Sequence, residues 1–465
     1  MLTRRNFIPM LASGGSMAGA QPRRPNIVII VADDLGWNDV GYHGSRIQTP
    51  HLDRLAQEGV RLDQFYCCPV CSPTRAGLLT GRYPIRYGMM HWGIAPYDRH
   101  GLPAEERTLA AVLRDAGYTR RAAVGKWHLG HARREFHPLS HGFTSFYGYY
   151  NSAIDHFTLM RDGQRDWHRD WSPSTDQGYA TDLIADEAIR FLKASSTAEP
   201  FFLYLAFDAP HIPLQAPEAS LKPYRGWPEP RRTYAAMVTH MDHAIGRVLK
   251  ALDDTGLAHD TVVLFLSDNG GDPNAGGDNR PFRGGKATTF EGGIRVPAIL
   301  RWPRSLQGGR ICKSPVRYID VLPTMARLVG AAARGGKPLD GVDVWDQVRG
   351  TSTARPQSLY SFIGSVEREH LALMEDGWKL VRVGQTILRA GSESRAQVYL
   401  FRIDEDPFET RNLAGDNPKL VQKMLTKLRA FRALHPTHIP IHTGGDANRP
   451  PAWSPPKDWA VPEAG

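Results

Sequence analysis

Ile27-Val28-Ile29-Ile30-Val31-Ala32 runs without interruption into Asp33-Asp34. Six consecutive apolar residues, mostly β-branched, read as a strand buried on both faces, and the paired carboxylates mark where it leaves the core. Working outward, Thr49-Pro50 opens a helix with Leu52, Leu55, Ala56 and Gly59 on one face. A second helix begins at Thr108 and carries Leu109, Val112, Leu113 and Ala116 at helical spacing until Gly117 stops it. Strands are expected at Ala122–Val124, Phe201–Phe207 and Val262–Leu266, with a long amphipathic helix over Tyr234–Asp253. This alternation predicts an α/β fold: a large, mainly parallel sheet with helices on both faces. After Gly341 the runs shorten, as at Lys379–Val381 and Val398–Phe401, and a last helix covers Pro418–Leu434. That pattern predicts a smaller C-terminal antiparallel sheet packed with one helix. The expected organisation is a large unit over 21–340, a smaller α+β unit over 341–443 and an extended Pro/Trp-rich tail over 444–465, without internal repeats.

In open parallel sheets ligands bind beyond the carboxyl ends of the strands. Here those ends are polar: Asp33-Asp34, then Ser267-Asp268-Asn269-Gly270, Gly125-Lys126-Trp127-His128 and Asp208-Ala209-Pro210-His211. Three carboxylates and an amide brought to one edge repel one another unless a cation lies between them. All-oxygen donors suit a hard ion such as calcium or magnesium better than zinc. A lone Asp at a strand end is commonly a turn or cap residue, but two such pairs at equivalent positions point to a site.

The 465 residues carry 57 Lys and Arg against 48 Asp and Glu, a net charge of +9 that suits a polyanionic partner. With 41% hydrophobic residues the chain has the composition of a globular protein rather than of a disordered or fibrous one. No run of eighteen apolar residues occurs, so no membrane-spanning helix is expected. Thr3-Arg4-Arg5-Asn6-Phe7, a mild apolar stretch and Ala18-Gly19-Ala20 resemble a bacterial twin-arginine export signal over 1–20, which directs the chain to the periplasm.

Of the four cysteines, Cys67, Cys68 and Cys71 cluster and Cys312 stands apart, which is not a disulfide framework. Cys71-Ser72-Pro73-Thr74-Arg75 precedes the helix-prone Ala76–Arg82. Pro73 fits a first helical turn and so puts Cys71 at a helix N-terminus, where free N–H groups favour an anion. Arg75 adds a fork of donors matched to an oxyanion. A Cys68–Cys71 redox pair or a metal knuckle are the competing readings; the knuckle lacks further Cys or His at close spacing.

Cys71-Ser72-Pro73-Thr74-Arg75 with Leu78-Leu79-Thr80-Gly81-Arg82, and Gly125-Lys126-Trp127-His128-Leu129-Gly130, resemble the two signatures of the formylglycine-dependent sulfatases of the alkaline phosphatase superfamily. The resemblance runs from Asn26 to about Leu413 and includes Glu291–Pro297, Asp406–Glu409 and Asn412-Leu413. Gly88–His91, Leu214–Pro217 and Gly276–Gly284 are most similar to the arylsulfatase B group, the N-acetylgalactosamine-4-sulfatase type. The resemblance implies an alkaline phosphatase-like fold, one calcium ion and a Cys71 oxidised by a maturation enzyme to Cα-formylglycine, present as its geminal diol. It implies Asp33, Asp34, Asp268, Asn269 and modified Cys71 as calcium ligands, and Arg75 as the group that holds the diol. Lys126, His211 and Lys286 would bind the sulfate and leaving oxygen, with His211 as the acid for the departing alcohol, and His128 would take the proton of the second hydroxyl.

The expected activity is therefore hydrolysis of sulfate esters on a sulfated carbohydrate, with no nucleic-acid partner. Two alternatives stand beside it: a phosphonate monoester or phosphodiester hydrolase of the same superfamily, and a catalytically silent glycan-binding relative. Loops such as Tyr149–Trp171 set substrate choice and are not readable from one sequence. Trp167, Trp171 and Trp227 are candidates for stacking on sugar rings, with packing as the competing role, and His91 is a candidate for reaching the substrate.

Overall fold

A computed structural model of the chain describes residues 23–331, 336–353 and 358–439. The expected export segment and the Pro/Trp-rich tail lie outside these residues. No helix among the described residues is long and apolar enough to cross a membrane.

Ten strands form one sheet in the order Arg310–Cys312, Val60–Leu62, Ala298–Arg301, Thr261–Ser267, Asn26–Ala32, Phe201–Ala206, Arg120–Lys126, Ser145–Tyr149, His168–Arg169 and Ser172–Pro173. The five central strands, from Thr261–Ser267 to Ser145–Tyr149, are all parallel. Antiparallel pairings are confined to the flanks. All seven residues of Asn26–Ala32 are buried because both faces of the sheet are covered. Ile27, Ile29 and Val31 face a core shared with Leu78, Leu79 and Leu113, while Val28 and Ile30 face one shared with Leu52, Ile184, Met237 and Ile245. The helices Cys71–Thr80 and Leu109–Asp115 therefore cover one side and Pro50–Glu58, Ala180–Lys193 and Arg231–Asp254 the other. Each fully buried Ile or Val contributes roughly 1.5–3 kcal/mol, so this strand is a main anchor of the fold.

The expected elements are present with small changes of extent. The long helix begins three residues early, at Arg231. The Ala122–Val124 strand extends over Arg120–Lys126, so Lys126 is the last residue of a strand rather than part of a loop. Gly125 makes that possible: its φ is +99°, and a Cβ there would lie 1.8 Å from the Ala206 carbonyl oxygen of the neighbouring strand.

Beyond this sheet, Leu359–Gly364, Glu369–Glu375, Trp378–Gly384 and Gln397–Arg402 form a four-stranded antiparallel sheet in chain order. The Pro418–Arg432 helix packs with Met424, Leu428 and Phe431 buried. Lys379, fully buried, ties the four-stranded sheet to the helical turn Glu291–Ile294: its Nζ donates to Glu291 Oε1 at 2.8 Å and pairs with Glu409 Oε1 at 2.9 Å. Glu409 Oε2 in turn accepts from the Glu291 N–H at 2.8 Å, and Tyr66 OH donates to Glu291 Oε2 at 3.0 Å. The Glu291–Pro297 and Asp406–Glu409 stretches thus meet in a buried ion triad. Lys379→Met leaves buried Glu409 without a cation and Glu291 with only the 3.4 Å contact to Arg295, and is expected to cost roughly 3–5 kcal/mol, read as a lower midpoint of denaturant unfolding.

Candidate active site

The parallel centre of the sheet brings four strand ends to one edge. Ala32 pairs with Ser267, and Ala206 with Gly125, so Asp33-Asp34, Asp268-Asn269, Lys126 and the loop to His211 emerge side by side. Asp33, Asp34, Lys126, His128, Asp268 and Asn269 are each 0–2% exposed. Three residues here hold left-handed backbone without being glycine: Asp34 (φ 66°), His128 (φ 55°) and Ala287 (φ 65°), the last beside Lys286. Such conformations cost about 1–3 kcal/mol each and persist where the surroundings enforce them, commonly at functional sites.

Cys71 is the first residue of the Cys71–Thr80 helix, and all ten residues of that helix are buried. Its cap residue, Val70, offers no side-chain acceptor, so the helix end presents its N–H groups toward the strand ends. Cys71 Sγ lies 3.2 Å from His128 Nδ1, and His128 Nε2 contacts the Ile94 carbonyl at 2.9 Å. Because that carbonyl only accepts, Nε2 carries the proton and Nδ1 presents its lone pair to Cys71. Burial first, then Lys126 and Arg75, hold the His128 pKa well below its ordinary value, so the ring is a neutral base. Burial also pushes the Cys71 thiol up, and an unmodified thiol at this position is a weak nucleophile.

Arg75 is completely buried and its guanidinium is committed to protein. Nε and Nη2 donate to Asp268 Oδ2 at 2.9 and 2.7 Å, and Nη1 donates to the Lys126 carbonyl at 3.0 Å. It thereby fixes Asp268 and the end of the Lys126 strand. Lys126 Nζ pairs with Asp33 Oδ2. Lys286 Nζ donates to Asp34 Oδ2 at 2.5 Å, and Asn269 Nδ2 to Asp34 Oδ1 at 2.7 Å. Burial alone would raise the Asp34 pKa, but Lys286 and His211 hold it below the usual carboxylate range. Burial and the adjacent Asp33 push Asp268 up to about 6 despite Arg75.

Two buried oxygens in this cluster, Asp33 Oδ1 and Asn269 Oδ1, have no hydrogen-bond donor. Ligand atoms of Asp33, Cys71 and Asp268 lie within 4.8 Å of one another, as do those of Asp33, Asp34 and His211. Orphaned acceptors beside crowded carboxylates fit a hard cation, and the donor set is oxygen-rich as calcium requires. His211 Nδ1 donates to the Ile212 carbonyl at 2.7 Å, while Nε2 lies 3.6 Å from Asp34 Oδ2. Burial and then Lys286 bring the His211 pKa down to about 3, so the ring is neutral at pH 7.

A cavity of about 490 Å³ opens over Cys71, His128, His211 and Lys286. Of the ten site residues expected from sequence, these four line it; the other six, Asp33, Asp34, Arg75, Lys126, Asp268 and Asn269, form the buried layer beside and beneath. Sequence reasoning missed the rest of the lining, including Trp92, Tyr97, Ser152, Arg161, Asp272 and Asn274. Trp92, 40% exposed, is the tryptophan on this cavity. Trp167, Trp171 and Trp227 are not: Trp167 is fully buried beside Tyr147 and Tyr149, Trp171 stacks on His137, and Trp227 packs on Tyr224. His91 packs beside His100 and His435 instead of lining the cavity. Cys68 accompanies Thr74, whose Oγ1 accepts from the Cys68 N–H at 2.9 Å, and Tyr318. None of the four cysteines is in a disulfide.

Residues 25–331 match the family model described as Sulfatase. The chain is 32% identical to arylsulfatase J of Mus musculus, over 90% of this chain and 77% of that protein. It is 38% identical to the N-acetylgalactosamine-6-sulfatase of Canis lupus familiaris, over 77% of this chain and 72% of that protein. Among solved structures, the one described as Ps i-CgsB in complex with k-i-k-neocarrahexaose superposes with a TM-score of 0.82 at 30% identity, covering 90% of this chain and 95% of that one.

Proposed function

The chain belongs to the sulfatase family and is a sulfuric ester hydrolase, and from that premise we propose that it removes sulfate from a sulfated carbohydrate, using Cys71 converted to formylglycine together with a calcium ion. The observation that carries this reading is the position of Cys71: a buried helix N-terminus, 3.2 Å from a neutral His128, facing a cavity that also exposes His211 and Lys286. A carbohydrate is favoured by the N-acetylgalactosamine sulfatase relative and by the similar structure that holds an oligosaccharide.

Formylglycine at position 71 would supply a hydrated aldehyde as the nucleophile for the sulfuryl group, with the ester S–O bond broken, the sugar alcohol released and inorganic sulfate as the final product. Asp33, Asp34, Asp268, Asn269 and the modified Cys71 would hold a calcium ion, which would supply positive charge beside residue 71 and the sulfate. The chain's own side chains do the rest. Lys286 and Lys126 orient the sulfate and stabilise charge on its oxygens. His128, held neutral by burial and with Nδ1 free to accept, takes the proton of the second hydroxyl. Arg75 holds Asp268 and the Lys126 strand end in register and contributes its charge to residue 71 through space. His211 is the proton donor to the departing sugar oxygen; it is neutral in the free enzyme, and the incoming anion is what raises its proton affinity.

A periplasmic location by the twin-arginine segment, and maturation by a formylglycine-generating enzyme, belong to the same reading. Its test is mass spectrometry of the peptide containing Cys71, where conversion of thiol to aldehyde is the expected result and a retained thiol in active enzyme overturns it. Matched aryl sulfate and aryl phosphate esters decide against the phosphonate or phosphodiester alternative: the sulfate ester is expected to have the larger kcat/KM.

A further inference from the structure

Arg161 lines the cavity over Cys71 but takes no part in the cluster of carboxylates and cations beneath it. It stands on a two-stranded hairpin, Met160–Arg161 paired with Gln164–Arg165. The connecting residues, Asp162 (φ 48°) and Gly163 (φ 77°), are both left-handed, the geometry of a tight two-residue turn that fixes register. Leu159, just before the hairpin, is fully buried and also left-handed, at φ 60°. The base of the hairpin is braced from several sides. Asp155 N–H donates to the Met160 carbonyl at 2.9 Å, and the Asp155 carboxylate accepts from the Thr158 N–H and from Gln215 Nε2, both at 2.7 Å. Gln215 Oε1 accepts from the His156 N–H at 2.8 Å, and His156 Nδ1 meets Asp208 Oδ2 at 2.8 Å. Gln215 lies in the Leu214–Pro217 stretch, which the chemistry at Cys71 leaves without a role, and Asp208 lies just beyond the Phe201–Ala206 strand. The hairpin is therefore locked to the same sheet edge that holds the catalytic groups.

What this scaffold presents is a guanidinium held only by long contacts. Arg165, on the partner strand, is anchored to the carbonyls of Ser174 and Asp176. Arg161 makes only long contacts, Nε to Asp162 Oδ2 at 3.3 Å and Nη1 to the Ala153 carbonyl at 3.4 Å, and among the described residues its Nη2 has no partner. Its side chain is 26% exposed. A rigidly held, under-satisfied arginine fork matches a planar or tetrahedral oxyanion. Trp92 on the same cavity offers a flat apolar face for a sugar ring, and Asp272 and Asn274 offer acceptors for hydroxyls.

Building on the glycan reading above, we propose that Arg161 forms a second anion subsite, so that the enzyme selects glycans carrying a further anionic substituent near the sulfate that is removed. Sulfate and carboxylate share the chemistry that Arg161 recognises. The test uses three disaccharides with the same scissile sulfate: one with a neutral neighbour, one with a uronate and one with a second sulfate ester. Sulfate release is measured for wild type, Arg161→Ala and Arg161→Lys. Wild type is expected to favour at least one anionic disaccharide over the neutral one by about ten- to a hundredfold in kcat/KM, as for a hydrogen-bonded charge. Arg161→Ala is expected to collapse that ratio, and Arg161→Lys to keep part of it. The identity of the preferred disaccharide tells carboxylate from sulfate. A wild type without preference overturns the proposal, and so does an Arg161→Ala enzyme that loses rate on all three with the ratio intact. Failure of matured wild type to release sulfate from any of the three, while it still cleaves an aryl sulfate, sinks the glycan reading itself and this subsite with it.

Discussion

Cys71→Ala is expected to abolish sulfate release, whereas Cys68→Ala is expected to keep a substantial fraction of it. The two thiols are three residues apart but occupy different environments. Cys71 faces His128 and the Asp33 and Asp268 carboxylates at the floor of the cavity, while Cys68 is packed near Thr74 and Tyr318 on the other side of the helix start. Burial pushes Cys68 up to about 12, so it is a protonated packing group at neutral pH. Removing a nucleophile from a site whose groups act together costs on the order of 10⁵–10⁶ in kcat, with little left for the remaining residues to supply. Removing a small buried thiol costs about 1 kcal/mol of stability and leaves the chemistry standing. Initial rates on an aryl sulfate, with melting curves to show both variants folded, check this. Equal and severe loss in both folded variants would return the pair to a shared redox role and remove the case for Cys71 alone.

The parallel centre of the fold was legible because a strand buried on both faces must be apolar throughout, and Ile27–Ala32, Phe201–Phe207 and Val262–Leu266 leave no polar alternative. The metal-side residues were legible for the complementary reason. Polar residues directly after such strands, Asp33-Asp34 and Asp268-Asn269, fall on one edge whenever the strands are parallel. What the sequence hid depends on closure in three dimensions. Trp92 and Asp272 come from loops and Arg161 from a two-residue hairpin strand, none with a readable periodicity, and only packing brings them onto one cavity. The role of Arg75 was half visible: its oxyanion-matching fork was plain, but its engagement by Asp268 and the Lys126 carbonyl follows from burial. Glu291 and Glu409 stood out as family-like stretches, yet their task is structural, because Lys379 of the four-stranded sheet lies far from Glu291 in the chain and reaches both. The left-handed backbone of Asp34 and His128 was not read from the sequence, because Asp and His enter that region more often than most residues but only in a small minority of cases.

Removing divalent cations is expected to lower turnover by at least two to three powers of ten, the typical cost of losing one preorganised charge, with calcium restoring it. Without a cation, Asp33, Asp34 and Asp268 share one buried pocket in which Asp33 Oδ1 and Asn269 Oδ1 lack donors. Lys126, Lys286 and Arg75 offset charge in the cluster, yet Asp268 is still driven upward by burial and Asp33. A ligand that binds only the folded site adds RT ln(1 + [L]/Kd), about 2.7 kcal/mol at a hundredfold excess over Kd, so calcium should raise the melting temperature as well as the rate. The thermal readout separates the ion's binding from the chemistry at residue 71, and it should persist in Cys71→Ala with reduced affinity. Asp33→Asn, which keeps the shape but removes a charge, should weaken the calcium-dependent shift by far more than a surface carboxylate would. Zinc, which prefers nitrogen and sulfur donors, should not substitute efficiently. Full activity in rigorously metal-free enzyme, with a melting temperature indifferent to calcium, would leave the crowded carboxylates without an explanation and end the calcium assignment.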